Sequence, residues 1–440
     1  MNLLLLFSFN YVPNVKAEMV ITEKWSYAAG AGIYCDPQIS DLNNDGALEI
    51  IFTSIDSKCY CLNDNGTLLW NYSASANAEF TPCIADLDDD NYQEVIFTSL
   101  DHNAYCISHD GNYLWNYDTG TAITSGPSAA DLDDDGTLEV LFGCLDYNVY
   151  CISDTGTKEW NYSTDNNVYP TPLAVDITND DVEEILFGSS DQYFYCLDNT
   201  GSYKWRYPIY CGIGANAAAA DIDNDNVIEV VVPGTQGRIS AYRNPGIQEW
   251  LFLPGGSLRD PIITDLNSDT KLEIIVSSNN GFLFCFNGTG SLLWSSYFGE
   301  SIGKTTAIDL DGDTNKEILF GSDDNNLYCV DYQGNHLWNY TFEGQIYGKP
   351  NVVNLDSDSD YEIIVPVGHP ENTLYCLDLN ITIVSTPPTS NGGGIGEIPF
   401  LAHWGLWIII GMGALYLLTL IVLLVTRNKG KKDTKKKSKK

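Results

Sequence analysis

The chain has 440 residues, of which 44% are hydrophobic and 18% charged, so it can bury an extensive core and is not a disordered segment. It carries 59 acidic and 22 basic residues, and nine of the basic ones lie in the last fourteen positions. The residues between Glu18 and Thr426 hold 58 acidic and only 12 basic side chains. Such a surface repels phosphates, which argues against nucleic acid as a partner and favours divalent cations as counter-ions.

Residues 1–17 have the pattern of a signal peptide. An apolar run from Leu3 to Phe9 precedes Val15-Lys16-Ala17, which places small residues at the −3 and −1 positions of a cleavage site after Ala17. A disordered start or an uncleaved anchor is the alternative. A cleaved signal would deliver the acidic body to the outside of the cell.

A repeat of 44 or 45 residues fills the body of the chain, from 24 to 380. Each unit holds four short segments rich in Val, Ile, Phe and Tyr, separated by turns of Gly, Asp and Asn, and none has a helical pattern. The repeat predicts an all-β fold, an eight-bladed β-propeller of four-stranded antiparallel blades over residues 18–384. A solenoid is the alternative. One tryptophan marks each unit: Trp25, Trp70, Trp115, Trp160, Trp205, Trp250, Trp294 and Trp338.

The two ends of the repeat array complement each other. The array starts with a lone tryptophan segment, Glu23 to Tyr27, and its last unit stops after a third strand, Tyr375-Cys-Leu-Asp. We therefore expect the amino-terminal strand to become the fourth strand of blade eight. This pairing would close the ring and remove open sheet edges.

An acidic loop in every repeat carries the strongest chemical signal. In the third repeat it reads DLDDDGTLE, with oxygen ligands at positions 1, 3, 5 and 9 and a tight turn at position 6, a pattern that suits a cation of the size of Ca²⁺. The alternative for some loops is an Asx-turn held only by side-chain-to-backbone hydrogen bonds. The fourth and eighth loops are the weakest, because Thr178 and Asn354 stand where the others have a carboxylate or a better ligand. The predicted ligands of several structural Ca²⁺ ions are Asp41, Asn43, Asp45 and Glu49; Asp86, Asp88, Asp90 and Glu94; Asp131, Asp133, Asp135 and Glu139; Asp176, Asp180 and Glu184; Asp221, Asp223, Asp225 and Glu229; Asp265, Asn267, Asp269 and Glu273; Asp309, Asp311, Asp313 and Glu317; and Asn354, Asp356, Asp358 and Glu362.

These motifs resemble two families. The loop with its following strand, as in ADLDDDGTLEVLFG, looks like the FG-GAP repeat of integrin-type propellers and of related membrane-anchored surface proteins of bacteria and archaea. The second half of the unit, as in YCISDTGTKEWNY, resembles the tryptophan-docking motif of quinoprotein-like propellers, which implies that each tryptophan packs against the neighbouring blade. Because many activities occur on this scaffold, the resemblance implies a fold rather than a function.

The twelve cysteines do not predict a disulfide framework. Seven occupy the same third-strand position of their repeats, and the fifth repeat has Ala241 there, which indicates a site for a small apolar side chain. Equivalent positions on neighbouring blades are too far apart for a bridge, so we expect buried free thiols. Only Cys35 and Cys83 look able to pair. No two cysteines are adjacent, unlike the pair that quinoprotein dehydrogenases typically place next to their cofactor.

The carboxyl-terminal part predicts membrane attachment. Residues 385–399, STPPTSNGGGIGEIP, have the composition of a linker. A charge-free run from Trp404 to Thr426 spans about 34 Å as a helix, enough for a bilayer core of about 30 Å, and predicts a transmembrane helix over 400–426. The basic tail, 427–440, would place the carboxyl terminus in the cytoplasm and the propeller outside.

The sequence favours a binding function for this cell-surface protein. Its five histidines form no zinc motif, no GxSxG occurs, and no catalytic residues are predicted. The predicted role is adhesion, or capture of an extracellular protein or glycan; an extracellular quinoprotein-like or polysaccharide-degrading enzyme, and a scaffold in a surface complex, are the alternatives. Glycosylation is expected at a set of N-x-S/T sequons: Asn65, Asn71, Asn161, Asn287, Asn339 and Asn380.

A ligand face is predicted from strand order. The metal loops share one face with the turns between the third and fourth strands, so the opposite face, which carries the blade-to-blade connections, is free for recognition. Arg259, Lys304 and Lys349 precede the first strands of blades six to eight, where they would cluster at the mouth of the axial channel and attract an anionic ligand such as an acidic sugar. Salt bridges to Asp36, Asp260 or Glu343 are the alternative role for these cations.

Overall fold

The computed structural model describes residues 15–356 and 360–385, and it describes side chains in 20–356 and 360–379. These residues form thirty-two strands arranged as eight four-stranded sheets. One compact unit, Lys16–Val384, contains the strands except for the first residue of the first strand and the last residue of the last. The predicted eight-bladed propeller with four-stranded antiparallel blades is confirmed.

The blades follow one another along the chain, each running from the axis outward. Blade one comprises β2 (Gln38–Ser40), β3 (Glu49–Ser54), β4 (Lys58–Leu62) and β5 (Leu68–Ser73); blade two β6 (Cys83–Ala85), β7 (Glu94–Thr98), β8 (Asn103–Ile107) and β9 (Tyr113–Asp118); blade three β10 (Ser128–Ala130), β11 (Glu139–Gly143), β12 (Asn148–Ile152) and β13 (Lys158–Ser163); blade four β14 (Leu173–Val175), β15 (Glu184–Gly188), β16 (Tyr193–Leu197) and β17 (Tyr203–Pro208).

The second half of the ring repeats this order and ends on a blade that uses both termini of the array. Blade five comprises β18 (Ala218–Ala220), β19 (Glu229–Pro233), β20 (Ile239–Arg243) and β21 (Ile247–Phe252); blade six β22 (Ile262–Thr264), β23 (Glu273–Ser277), β24 (Phe282–Asn287) and β25 (Leu292–Tyr297); blade seven β26 (Ile302–Ile308), β27 (Glu317–Ser322), β28 (Asn326–Val330) and β29 (His336–Thr341); blade eight β30 (Asn351–Val353), β31 (Tyr361–Val367), β32 (Thr373–Ser385) and β1 (Val15–Ala28).

The hydrophobic core lies between the blades. In β11 every residue is buried, because both faces of this second strand are covered by neighbouring blades, whereas β13 at the outer edge alternates between exposed and half-buried positions. One cluster joins Ile96 and Cys106 of blade two to Val140 and Phe142 of blade three, and equivalent clusters follow around the ring. The core is therefore a series of blade-to-blade layers.

Seven of the eight tryptophans dock on a glycine of the next blade, as the quinoprotein resemblance implies, whereas Trp338 packs against a core cluster that includes blade eight and its Nε1 has no hydrogen-bond partner among the described residues. The indole of Trp115 lies against Gly156, and its Nε1 donates a hydrogen bond of 2.6 Å to the carbonyl of Asp154 in the turn between β12 and β13. Gly156 has φ +81°, and a Cβ there would lie 2.8 Å from the indole, so both backbone conformation and space require glycine. The same glycine–tryptophan contact occurs at Gly66, Gly111, Gly201, Gly246, Gly290 and Gly334.

The amino-terminal strand completes blade eight. Strand β1 is hydrogen-bonded to β32 at the outer edge of that sheet, as predicted from the missing fourth strand. Trp25 then docks on blade one, donating from Nε1 to the carbonyl of Asp64 at 3.0 Å, and one core cluster combines Phe52 of blade one with Ile364 of blade eight. The ring is closed by residues from both ends of the repeat array.

The cysteines are free thiols, including Cys35 and Cys83, the only pair that looked able to bridge. The third-strand thiols are fully buried between blades, and Ala241 is buried at the equivalent position of blade five, as predicted. The Cys35 thiol instead donates a hydrogen bond to the carbonyl of Thr53 in its own blade.

Several predictions fall outside the described residues: the signal peptide up to residue 14, most of the linker, the transmembrane helix at 400–426 and the basic tail. Within the described part of the chain there is no helix of the length and hydropathy needed to cross a membrane.

Candidate metal loops and axial cavity

The ninth residue of each acidic loop is placed by the sheet. Glu139 opens β11 and pairs with Ala130, the last residue of β10, so its side chain turns back under the loop, where it is 2% exposed. Its Oε2 accepts a hydrogen bond of 2.8 Å from the amide of Leu132, the second loop residue. The equivalent bond is present in all eight blades. The other accepting glutamates are Glu49, Glu94, Glu184, Glu229, Glu273, Glu317 and Glu362.

The first and fifth loop residues shape the turn. In loop three, Asp131 accepts hydrogen bonds from the amides of Asp135 and Gly136, while Asp135 Oδ1 accepts from the amide of Thr137 at 2.9 Å. These are the Asx-type bonds considered above as an alternative to metal binding. They hold the loop backbone in a curve without engaging Asp133, which is exposed.

Among the described residues, four loops bring three carboxylates together, and they are the four whose sequence carries an acid at all of positions 1, 3, 5 and 9. One oxygen from each of three acids lies within 4.8 Å of the others in these loops, at positions 1, 3 and 5 in loops two and five and at positions 1, 3 and 9 in loops three and seven. The groups are Asp86, Asp88 and Asp90; Asp131, Asp133 and Glu139; Asp221, Asp223 and Asp225; Asp309, Asp311 and Glu317. A hard divalent cation is the natural partner for such a group of oxygens.

These carboxylates repel one another. Burial, followed by the charges of neighbouring carboxylates, raises the pKa of Glu94, Glu139, Glu229 and Glu317 to about 7 in each case; these neighbours are the loop aspartates, joined at Glu139 by Glu159. In each of these four glutamates, no hydrogen bond or ion pair engages Oε1 within the described residues, although the side chain is at most 5% exposed. A bound cation would neutralise the unpaired oxygen of each buried glutamate and the charges of the loop aspartates beside it.

Loops one and six keep the same frame with asparagine at the third position. Asn43 Oδ1 accepts the amide of Asp45 at 2.9 Å, and Asn267 Oδ1 accepts the amide of Asp269 at 3.0 Å. Glu49 and Glu273 remain buried beneath them with Oε1 unengaged by any described residue. These loops retain four oxygen-bearing side chains each.

Loops four and eight differ from the rest because a lysine enters them. Lys204 of β17 forms an ion pair with Glu184 Oε1, the oxygen left free in the other loops. Lys24 of β1 lies 2.6 Å from both Asp356 Oδ2 and Glu362 Oε1. Sequence reasoning marked both loops as weak but missed the lysines, which lie in the fourth strand; of the loop-eight ligands, Asp358 lies outside the described residues.

An axial cavity of about 550 Å³ opens on the face opposite the metal loops. It is formed by the blade-to-blade connections and by the residues that begin the innermost strands. Its wall combines aromatic side chains, Phe80 and Tyr169 among them, with hydroxyl and amide groups such as Thr171 and Asn216. Such a mixture suits a small ligand with both apolar and polar surfaces.

Residues at equivalent positions of the blades surround the axis at this mouth. The amide of Asp36 donates to Thr81 Oγ1, that of Thr171 to Asn216 Oδ1 and that of Asn216 to Asp260 Oδ1. The amide of Lys349 in blade eight donates to Asp36 Oδ1 of blade one at 2.8 Å. At these four junctions a side chain of one blade therefore caps a backbone amide of the preceding blade.

The three predicted ligand-binding cations occupy different surroundings. Lys304 lies between Asp36 and Asp260, at 2.8 and 3.0 Å, so it forms the salt bridges that were its alternative role. Arg259 lines the cavity, and its Nε donates to the carbonyl of Ile302 at 3.3 Å; within the described residues no carboxylate lies within 4 Å of its guanidinium. Lys349 is half-buried and does not line the cavity.

Two cavity residues were not identified from the sequence. Glu79 lies on the wall, burial raises the pKa of its carboxyl, and no hydrogen bond or ion pair engages it within the described part of the chain. Tyr169 is 40% exposed, and its hydroxyl accepts a hydrogen bond of 2.8 Å from Asn167. Both lie at the same position of their blade-to-blade connections, where the residue type varies between repeats.

Comparison with known proteins supports the fold. A family model described as the lambda-carrageenase β-propeller domain matches residues 14–85. No curated protein sequence matches the chain.

Solved structures similar to the chain include BamB from Moraxella catarrhalis (16% identity, 81% of this chain and 97% of that one, TM-score 0.61) and the V. cholerae biofilm matrix protein Bap1 (15%, 84% and 92%, 0.64). Quinohemoprotein alcohol dehydrogenase from Comamonas testosteroni is a third (11%, 86% and 79%, 0.64). These neighbours include an enzyme and non-enzymes, and at such identities the likeness extends to the fold alone.

Proposed function

We propose that the protein is a calcium-binding, cell-surface propeller that binds an extracellular glycan in its axial cavity. The observation that carries the ligand proposal is the cavity itself, which is concave, aromatic-lined and rich in hydroxyl and amide groups. The signal segment 1–17 and the membrane helix 400–426 supply the proposed location, with the propeller outside the cell.

Calcium is proposed as a structural ion. The loops offer carboxylate and amide oxygens in the order that Ca²⁺ sites use, and the buried glutamates keep one oxygen free beneath the loop. The residues would hold the ion between two strands of the same blade, so calcium would stabilise the folded ring by binding the native state only. This face would then serve stability, and the opposite face recognition.

The cavity chemistry favours a glycan. Its lining contains two acidic residues, Glu79 and Asp260, and two basic residues, Arg259 and Lys304, so the mouth is charge-balanced within a strongly acidic body. Aromatic rings such as Tyr169 can stack on a sugar ring while threonine and asparagine groups bind its hydroxyls. Arg259, which is free of carboxylate partners among the described residues, would bind an acidic substituent of the sugar.

A glycan array tests this proposal. The full-length protein should capture a restricted set of glycans in calcium, and Tyr169→Ala or Arg259→Gln should reduce capture at least tenfold without changing the melting temperature. Tyr113→Ala is the matched control, because Tyr113 is an equally accessible tyrosine on the outer strand β9, 50% exposed. Unchanged glycan capture by both cavity variants, or capture of protein ligands alone, would contradict the glycan proposal.

A further inference from the structure

One position of the fourth strand carries, in blades four and eight, a side chain that reaches the metal loop of its own blade. It is the residue immediately before the docking tryptophan, and its identity differs between blades. It is leucine in blades one, two, six and seven (Leu69, Leu114, Leu293, Leu337), glutamate in blades three and five (Glu159, Glu249), and lysine in blades four and eight (Lys204, Lys24).

The two lysines occur in the two blades whose loops depart from the common ligand pattern. Loop four has Thr178 at the third position, and loop eight begins with Asn354. Each lysine reaches the ninth glutamate of that loop, Lys204 at Glu184 Oε1 and Lys24 at Glu362 Oε1. In both blades, therefore, the loop that departs from the common ligand pattern is the loop that a lysine ammonium contacts.

The contacted oxygen is the one a cation would need. Oε2 of the glutamate is already bound by the amide of the second loop residue in these blades as in the others. In blade eight the ammonium also lies 2.6 Å from Asp356, so it bridges the third and ninth positions of the loop. The lysine ammonium, which is part of the chain itself, thus lies where a bound cation would lie.

We infer that the ammonium groups of Lys204 and Lys24 replace calcium in loops four and eight, so that the propeller binds six calcium ions rather than eight. This inference rests on the proposed calcium binding by the other loops. A single ammonium neutralises the buried glutamate, and a divalent cation cannot occupy the same position beside it because like charges at such a distance repel.

Blade five shows that a nearby cation alone is not sufficient. Arg243 lies 3.9 Å from Asp225 of loop five, but its Nε is bound by Glu249 at 2.6 Å. It does not reach Glu229, whose Oε1 stays unengaged within the described residues. A small cavity of about 130 Å³ is bounded by Asp223, Glu229 and Glu249, so this loop remains accessible to a cation.

The blade-eight lysine has a consequence for ring closure. Lys24 lies on the amino-terminal strand β1. Asp356 and Glu362 belong to the same blade but lie more than 330 residues later in the chain. The ion pairs thus tie the closing strand to its sheet. The closure of the ring would not depend on calcium, although the stability of the other blades would.

Calcium stoichiometry of the full-length protein tests the inference. Equilibrium dialysis over a series of calcium concentrations that reaches saturation should give six ions per chain for the native protein. Lys204→Leu combined with Thr178→Asp should raise the number to seven, and Leu114→Lys in blade two should lower it to five, while the uncharged control Leu114→Gln should leave six. Eight ions in the native protein, or six in Leu114→Lys, would overturn the inference, whereas no bound calcium at all would instead refute the proposed calcium binding.

A second measurement does not require a bound metal. In chelator, Lys204→Leu should lower the melting temperature because it leaves Glu184 buried without a cation; added calcium should restore it in the Lys204→Leu/Thr178→Asp protein. An unchanged melting temperature of Lys204→Leu in chelator would show that the ammonium does not neutralise the loop, and the inference would fail.

Discussion

The substitution Glu139→Gln should stabilise the protein when calcium is absent and destabilise it when calcium is present. Glutamine retains an oxygen that can accept from the amide of Leu132, so the hydrogen bond beneath loop three is preserved. What changes is the charge beside Asp131 and Asp133, whose carboxylate oxygens lie within 4.8 Å of that of Glu139. The substitution therefore isolates electrostatics from packing.

Without calcium, the variant should be more stable than the native protein at pH 8. The pKa of Glu139 is raised from 4.5 to about 7 by burial and then by neighbouring carboxylates. At about 1.4 kcal/mol per pKa unit this corresponds to roughly 3 kcal/mol, and because Asp133 is exposed and solvent screens the loop, we expect about 1–2 kcal/mol.

The pH dependence of stability in the calcium-free protein leads to the same expectation. A glutamate with a raised pKa holds its proton more tightly in the folded state, so the calcium-free native protein loses stability as pH rises from about 4.5 to about 7. The advantage of Glu139→Gln in chelator should therefore be present at pH 8 and absent at pH 4.

With calcium at about 10 mM, the native protein should be the more stable one. Extracellular sites with dissociation constants of about 10⁻⁴ to 10⁻³ M add about 1–3 kcal/mol at that concentration, and the glutamine variant would lose most of this. The shift of the urea midpoint measures the effect of the substitution in chelator and in calcium. Glu184→Gln is the matched control, because it breaks the pair with Lys204 and should destabilise in both conditions. A destabilising Glu139→Gln in chelator would refute the reasoning.

Further predictions concern the ring. Gly156→Ala should destabilise by about 2–4 kcal/mol, because its Cβ meets the Trp115 indole, whereas Gly120→Ala, at a similar φ of +72° with nothing within 4 Å, should cost only about 1 kcal/mol; equal urea midpoints would contradict the docking argument. Deleting residues 18–30 should cause aggregation by exposing the edge of blade eight, and a soluble deletion protein with the native melting temperature would refute closure by β1. A thiol reagent should label none of the buried cysteines before unfolding; rapid labelling of the native protein would contradict their burial.

The sequence predicts the fold well because its signals are periodic. The spacing of the tryptophans and acidic loops defines the blades, and the solitary segment around Trp25 identifies the closing strand, which the structure pairs with β32. Likewise, the loops with acids at positions 1, 3, 5 and 9 are those in which three carboxylates come together.

The sequence predicts the site less completely because its contacts cross strands. Lys204 follows Glu184 by 20 residues, and only the pairing of β15 with β16 and of β16 with β17 brings the two side chains together. Its position before the tryptophan in two ligand-poor repeats was a usable signal. Tyr169 and Glu79 occupy equivalent positions of their connections, 90 residues apart, but the residue type at that position changes from blade to blade, so it does not by itself indicate a ligand site. Lys304 was expected at the axial mouth, and its alternative partners Asp36, 268 residues away, and Asp260 are the carboxylates that it contacts.

Crystals grown in calcium, with diffraction data collected at a long wavelength, offer the most direct test of a cation-loaded ring. Anomalous difference peaks should mark loops one, two, three, five, six and seven, each beside the free oxygen of the ninth glutamate. Loops four and eight should show no peak, with Lys204 and Lys24 Nζ in that position. A map with no peak in any of the six loops would contradict the account.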